Sequence, residues 1–513
     1  MKLDCCKKNF KFINADKAEI EKEAEFELPE YRSGIRKILA SNAEIKIDEK
    51  EINNAEIYLS GEIIWKILYI TEPDNKIKSI SFSENFEKQI PLKNQSVSED
   101  DEIKIFVRPY PVNFSAKLSG QRKIYARSKF IVTCDVILLE NEEECKENEE
   151  TNQKIQLKKK ELDCADLKFS EKENFDISRE ISIDSEMPEI REILYTQPAL
   201  CLKVASVSEN RATIKGELSV SCLYESESEP EDYVSYEKTV PFEREVYIDS
   251  STGTDIYPVY DLAMFSVSVE NDDYSERRVL KITADVDVCL AVISNKKCCV
   301  VSDIYSTDCV LIPEMTQEKV LNFLGVRDVS ETSRERVRGE LRGISDILYS
   351  CVDITFSNPE FENDTPYINA KGILRLMGSK ENGEIEGASV NISLKIPLQN
   401  FSLKTYQRKV NWINGLSVSS HECKIVNGEV MLSLTVCGEM MAFEEITEDV
   451  VSEYSESDQS SLSGANGFTL YYPESGESVW DVAKSHMVDI NRFVAENNIT
   501  GEYFDGKTAV LLH

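Results

Sequence analysis

Alternating apolar and polar side chains dominate this chain, and one alternating segment recurs three times around a glycine. Ala212, Ile214, Gly216, Leu218, Val220, Cys222 and Tyr224 fall on one face, while Arg211, Thr213, Lys215, Glu217, Ser219 and Ser221 fall on the other. A period of two predicts a strand with one buried and one wet face. The same pattern places Ile57, Leu59, Ile63, Trp65 and Ile67 beside Gly61, and Ile368, Ala370, Leu374 and Leu376 beside Gly372. Each glycine lies on the inward face, where a missing side chain marks a bulge or a close backbone approach.

The three segments share their surroundings. An Ile-Leu pair precedes each glycine: Ile38-Leu39 by 23 residues, Ile193-Leu194 by 23 and Ile347-Leu348 by 25. An apolar-Pro-apolar step follows in each case, Ile90-Pro91-Leu92, Val240-Pro241-Phe242 and Ile396-Pro397-Leu398. Each copy closes on a hairpin whose last strand alternates, through Ile124 to Cys134, Leu280 to Val288 and Val430 to Val436; the third turns at Asn427-Gly428, a type I′ signal. The Ile-Leu pairs repeat after 155 and then 154 residues, a period of whole domains rather than of solenoid units. The expectation is a mainly β chain of three tandem homologous domains, 1–150, 151–310 and 311–451, each a sandwich or open barrel and strung like beads. A brief helix near Pro313, with Val320, Leu321 and Leu324 on one side, is expected before the third copy.

Past Val451 the periodicity stops. Residues 452–467 are rich in Ser, Gly and acids and read as a flexible linker. Residues 468–513 then predict a small β-α-α-β module: a strand at Phe468–Tyr472 and a turn at Ser475-Gly476-Glu477, then a helix capped by Ser478 that buries Val479, Val482 and Ala483. A second helix, capped by Asp489 and carrying Ile490, Phe493 and Val494, ends at Asn497-Asn498, and a strand from Thr508 to Leu512 closes the unit.

Charge narrows the partners. Among 513 residues, 59 Lys and Arg stand against 93 Asp and Glu, a net charge of −34, and such a field repels nucleic acid and anionic lipid headgroups. At 41% hydrophobic the chain can still bury cores. Residues 1–16 lack the apolar core of a secretory signal, and no run approaches 18 uncharged apolar residues, so a cytosolic location without membrane insertion is expected. The 14 cysteines then read as reduced thiols, with Cys134, Cys222 and Cys289 acting as small apolar strand residues. With no C-x-x-C pair and three histidines, neither a metal site nor a cofactor is expected. The acidic run Glu140–Glu150 lacks the Asp/Asn alternation and the glycine of a calcium loop and reads as a solvated connection.

Catalytic spellings are few. Gly501 to Thr508 matches a phosphate-loop pattern, but that loop needs a following helix, and the five residues after Thr508 are strand-like. His421, two residues before Cys423 in what reads as a polar turn, has no nucleophile motif beside it. No catalytic residue is nominated, and a non-enzymatic role is expected.

The C-terminal module resembles a LysM domain, through Gly476-Glu477-Ser478-Val479-Trp480, Ala483, Asn497 and Gly506; Asn498 stands where that family has Pro. The resemblance implies a groove between Gly476, Glu477 and Ser478 on one side and Asn497, Asn498, Ile499 and Thr500 on the other. Trp480 reads equally as core filler or as an exposed anchor, and Asn491 and Arg492 on the second helix offer another docking surface. The repeated unit resembles the SPOCS domain: the second copy fits best through Met187-Pro188-Glu189, Ile193-Leu194 and Gly216, the first keeps Leu28-Pro29-Glu30, and the third has Leu341-Arg342-Gly343 there.

SPOCS copies followed by a terminal LysM are similar to the SipL-type spore coat morphogenesis proteins of spore-forming Clostridia. That resemblance implies a cytoplasmic scaffold of the mother cell at the outer surface of the forespore. Its LysM-like module would dock onto the polymerising spore coat ATPase, and its β-domains would contact other coat morphogenesis proteins. The opposing expectation is a peptidoglycan-binding protein whose groove holds N-acetyl sugars.

Overall fold

In the computed structural model, which describes residues 10–53, 55–93, 102–139, 154–228, 232–248, 255–337, 344–362, 365–398, 410–457 and 469–512, the alternating segments all become strands. The Glu140–Glu150 run, the Leu341-Arg342-Gly343 step and Phe468 lie outside those residues. Strands β1 (Phe10–Asn14), β2 (Ala18–Glu27), β6 (Glu102–Gly120) and β7 (Lys123–Leu139) form one sheet, and β3 (Gly34–Asn53), β4 (Glu56–Glu72) and β5 (Ile77–Pro91) form another. Down the first sheet runs β7, with β1 and β2 end to end along one edge and β6 along the other. The sheets share a core that includes Ile20, Ile57, Leu59, Trp65, Phe130 and Val132, so the inward residues of the alternating pattern are the buried ones.

This pairing pattern recurs. In β8 (Ile155–Phe169), β9 (Glu173–Ser182), β13 (Asp255–Glu270) and β14 (Val279–Ser306), the long β14 takes the central place, and β10 (Ile190–Ser208), β11 (Arg211–Ser226) and β12 (Tyr233–Tyr247) make the facing sheet. The last pair of sheets comprises β15 (Leu311–Arg336), β20 (Val410–Asn414), β21 (Ser417–Val426) and β22 (Glu429–Glu456), and then β16 (Ile344–Phe356), β17 (Glu360–Glu362), β18 (Thr365–Lys380) and β19 (Ile385–Pro397). Here β15 alone covers the edge that two strands share elsewhere, and β20 and β21 divide the opposite edge. Asn427 and Gly428 turn the last hairpin with φ of 53° and 78°, as a type I′ turn requires.

Two local expectations fail here. The stretch from Pro313 through Leu324 is strand, not helix, because β15 pairs with β22 along its whole length and that ladder outweighs a three-residue helical spacing. The expected linker starts late for the same reason: β22 continues to Glu456 against Leu311, so residues 452–456 are paired strand, and 458–467 lie outside the described residues.

Each Ile-Leu pair sits at a β-bulge. The register skips at Leu39, Leu194 and Leu348, and the extra residue sends neighbouring side chains in different directions. Ile38, Ile193 and Ile347 pack into the cores of their own sheet pairs. Leu39, Leu194 and Leu348 instead meet one another in a common cluster with Leu68, Ile77, Tyr195, Leu223, Tyr349, Cys351 and Met377. A second common cluster joins Phe10, Ile137 and Leu139 to Tyr257, Ala291 and Ile293, and to Phe323, Met441 and Phe443.

The picture of beads on a string is therefore overturned. Outward faces that carry Leu39, Leu223 or Phe443 are apolar, and removing such surface from water yields about 25 cal/mol per Å², which draws the three sheet pairs onto one centre. Polar groups fix the seams. Asn42 Nδ2 donates to the Tyr195 hydroxyl at 2.7 Å, Gln197 Nε2 to the Val352 carbonyl at 2.6 Å, and Arg375 Nε to the Ser41 carbonyl at 3.0 Å. The Arg375 guanidinium, buried against Asp353, stacks 5.2 Å from the Phe114 ring centre.

At the repeated glycines the close approach is observed. A Cβ on Gly372 would lie 1.8 Å from the Asp353 carbonyl oxygen, and one on Gly61 2.0 Å from that of Lys46. One cysteine expectation is corrected: Cys164 of β8 and Cys298 of β14 form a disulfide, with Cα atoms 6.0 Å apart, because strand pairing sets Cys164 opposite Lys296, two residues from its partner.

Candidate functional site

The C-terminal module forms from β23 (Thr469–Tyr471), α1 (Val479–Ser485), α2 (Ile490–Glu496) and β24 (Val510–Leu512), in the order β-α-α-β. Both caps act as their residue types predict: Ser478 accepts from the Asp481 N–H, and Asp489 accepts from that of Arg492. Val479, Val482, Ala483, Phe493, Val510 and Leu512 fill the interior. Thr508 leads into β24, so the phosphate-loop spelling has no helix behind it.

Backbone pairing joins the first nominated loop to residues 502–504, just past the second. The Gly476 N–H donates to the Phe504 carbonyl at 2.8 Å, Phe504 N–H returns to the Glu477 carbonyl at 2.9 Å, and Val479 N–H reaches the Glu502 carbonyl at 2.9 Å. Glu502, Tyr503 and Phe504, not Asn497 to Thr500, thus run beside Gly476, Glu477 and Ser478. The nominated side chains have different duties. Glu477 accepts from the Tyr471 hydroxyl and the Glu474 N–H, both at 2.9 Å. Asn497 is a staple: its Nδ2 donates to the Phe493 and Leu511 carbonyls at 3.0 and 2.9 Å, and its Oδ1 accepts from the Leu511 N–H at 2.6 Å. Asn498 has a φ of +52°, which proline's ring cannot adopt, so its departure from the LysM pattern has a backbone cause. Ile499 packs against the module's core, while Gly476, Asn498, Thr500, Asn491 and Arg492 face solvent, Arg492 paired with Glu496 at 2.9 Å.

Of its two expected places, Trp480 takes the buried one, packed in one cluster with Val479, Val482, Ala483 and Phe493, and it is not an exposed anchor. It also joins the module to the body of the protein: its Nε1 donates to Asp303 Oδ2 at 2.8 Å, and its ring meets Tyr305 edge-on at 4.9 Å. Lys484 bridges both oxygens of Asp303, at 2.6 and 2.8 Å. Burial pushes the Asp303 carboxyl up, but Lys484 and the indole N–H outweigh it and hold the group below its ordinary value. Alongside, Tyr305 OH donates to the Val488 carbonyl at 2.7 Å, and Gln156 Nε2 to Asp489 Oδ2 at 3.0 Å. The module is thus seated on the ends of β8 and β14 rather than held only by a tether. Sequence reasoning missed Gln156, Asp303, Tyr305 and Lys484. The available signal was Trp480 itself, a large side chain with an N–H to satisfy in a unit too small to enclose it.

Elsewhere, a cavity of about 490 Å³ lies where the three sheet pairs meet, with Glu44, Gln197, Glu237, Tyr260, Asp353 and His421 in its wall. His421 stands in β21, half-buried, not in a polar turn. Its Nε2 lies 3.0 Å from the Ser350 carbonyl and 3.1 Å from that residue's hydroxyl. A nitrogen donating to the carbonyl cannot also remove the hydroxyl proton, so this pair is structural. Burial lowers the His421 pKa and favours the neutral ring. Among the described residues, no helix is long and apolar enough to cross a membrane, and no three His, Cys, Asp or Glu side chains group to hold a metal ion.

Residues 34–117, from the first residue of β3 into β6, match the family model described as SipL, SPOCS domain. Over those residues the chain is similar to SPOCS-domain proteins of SipL type. No curated protein and no solved structure matches the chain.

Proposed function

We propose that this SPOCS-domain chain of SipL type is a non-enzymatic scaffold in endospore coat assembly. The observation that carries the reading is the match over 34–117, together with a strand-pairing pattern that recurs in β8–β14 and β15–β22. On this reading the chain comprises three SPOCS-like β-domains and a LysM-like module. It works in the mother cell at the forespore surface, where the module docks onto the polymerising coat ATPase and the β-domains contact other coat proteins. The docking face is the solvent-facing rim of Gly476, Asn498 and Thr500 with Asn491 and Arg492, because the Trp480 face is covered by β14. A small rim suffices when the partner is a polymer, since many copies raise effective concentration.

The test is co-sedimentation of the full chain, and of a chain ended at Gly467, with polymerised coat ATPase and separately with wall or cortex sacculi. The expected result is pelleting of the full chain with the ATPase and loss of that pelleting on truncation. Pelleting with sacculi alone would replace the adaptor reading with one in which the groove holds N-acetyl sugars.

A further inference from the structure

Two cysteines far apart in sequence face each other across a seam. Cys201 of β10 lies between Leu200 and Leu202, which point into the core of the second sheet pair, so its thiol points out of that core. Cys437 of β22 follows Val436, which points into the core of the third, and its thiol likewise points out. The two sulfurs are 2.9 Å apart, 236 positions separate the residues in the chain, and both thiols are free. A disulfide needs about 2.05 Å, so the sulfurs must close by less than about 1 Å.

Their environment is suited to exchange chemistry. The Ser417 hydroxyl lies 3.6 Å from the Cys437 sulfur, Ser417 and Ser419 line the 490 Å³ cavity beside the pair, and both cysteines are only half-buried. The Cys201 thiol facing Cys437, aided by the Ser417 and Ser419 hydroxyls and opposed by burial, holds Cys437 below the usual thiol range, while the same contact raises Cys201. Cys437 is therefore the sulfur that ionises first, and thiolate is the attacking form.

We propose that Cys201 and Cys437 form a redox pair which reacts with small-molecule disulfides and closes a covalent bridge between the second and third copies. The Cys437 thiolate attacks one sulfur of the reagent, forming a mixed disulfide and expelling one small thiolate. Cys201 then gives up its proton and attacks the Cys437 sulfur, expelling the second small thiolate. The two protein thiols lose two electrons and two protons; the reagent disulfide gains both and leaves as two thiols. This site is independent of Cys164–Cys298, which lies within β8 and β14, and of the docking role proposed for the C-terminal module.

The experiment equilibrates the full chain in mixtures of oxidised and reduced glutathione, quenches by alkylation and maps cysteines by mass spectrometry without reduction. Expected are a Cys201–Cys437 crosslinked peptide in the oxidising mixture, its loss in the reducing one, and a raised melting midpoint that Cys437→Ser abolishes. Alkylation of both residues in the oxidising mixture would overturn the proposal, as would a raised melting midpoint that persists in Cys437→Ser.

Discussion

The Trp480 indole donates to Asp303 across 2.8 Å, linking the first helix of the C-terminal module to the end of β14, 177 positions earlier in the chain. A hydrogen bond to a charged acceptor contributes about 1.5–3 kcal/mol, and partial exposure of Asp303 places this one at the lower end. Trp480→Phe keeps the ring contact with Tyr305 and loses the bond. The expected outcome is an intact α1 whose attachment to β14 is weaker by about 1–2 kcal/mol, read as faster hydrogen exchange around Tyr305 and Val488. Because the Asp303 pKa is lowered on folding, this attachment persists above the ordinary Asp value near about 4 and is lost only as pH falls through the folded value.

Gly387 tests the three-way packing. A Cβ there would lie 1.7 Å from the Leu39 carbonyl, a contact between the third sheet pair and the first. Gly387→Leu should leave each sandwich core intact and open this seam, seen as an enlarged radius of gyration in solution scattering and deprotection of β3. In a beaded chain the same substitution would change neither.

Gly372→Ala should lower stability by about 1–3 kcal/mol or more, measured by urea unfolding, because the added methyl meets backbone that cannot rotate aside. Gly216→Ala meets the Leu202 and Phe242 side chains instead and should cost less, since those can shift rotamer.

Glu439 predicts a pH effect. Burial, with Asp328 opposite it on β15 adding to the shift, pushes its carboxyl up to about 8. The folded protein then holds a proton that the unfolded chain releases near about 4.3, so stability falls as pH rises from there to about 8. Glu439→Gln removes that slope: relative to the parent chain it should be more stable at pH 8 than at pH 5, read from urea midpoints.

The buried faces were legible in the sequence because alternation is local, and Gly61, Gly216 and Gly372 announced their close contacts for the same reason. The Ile-Leu spacing was visible too, but not its cause, since a bulge is a property of two paired strands. The common clusters were written as lapses in alternation: Ile67-Leu68-Tyr69-Ile70, Leu223-Tyr224 and Leu376-Met377 are continuous apolar runs, the mark of a strand covered on both faces. In the C-terminal module, the caps at Ser478 and Asp489 could be read directly. Its seat could not, because Asp303 and Tyr305 are ordinary strand residues until α1 is laid beside them.

A centre built from three distant stretches has a temporal cost during synthesis. The first copy leaves the ribosome with Leu39, Leu68 and Ile77 uncovered; Leu194, Tyr195 and Leu223 of the second copy cover part of them, and the cluster closes only when the strand bearing Met377 has been made and folded. Nascent chains of this protein therefore carry a sticky flank through most of translation, where chaperone capture competes with pairing to neighbouring chains. Losing one copy would not merely shorten the molecule; it would leave that flank permanently bare.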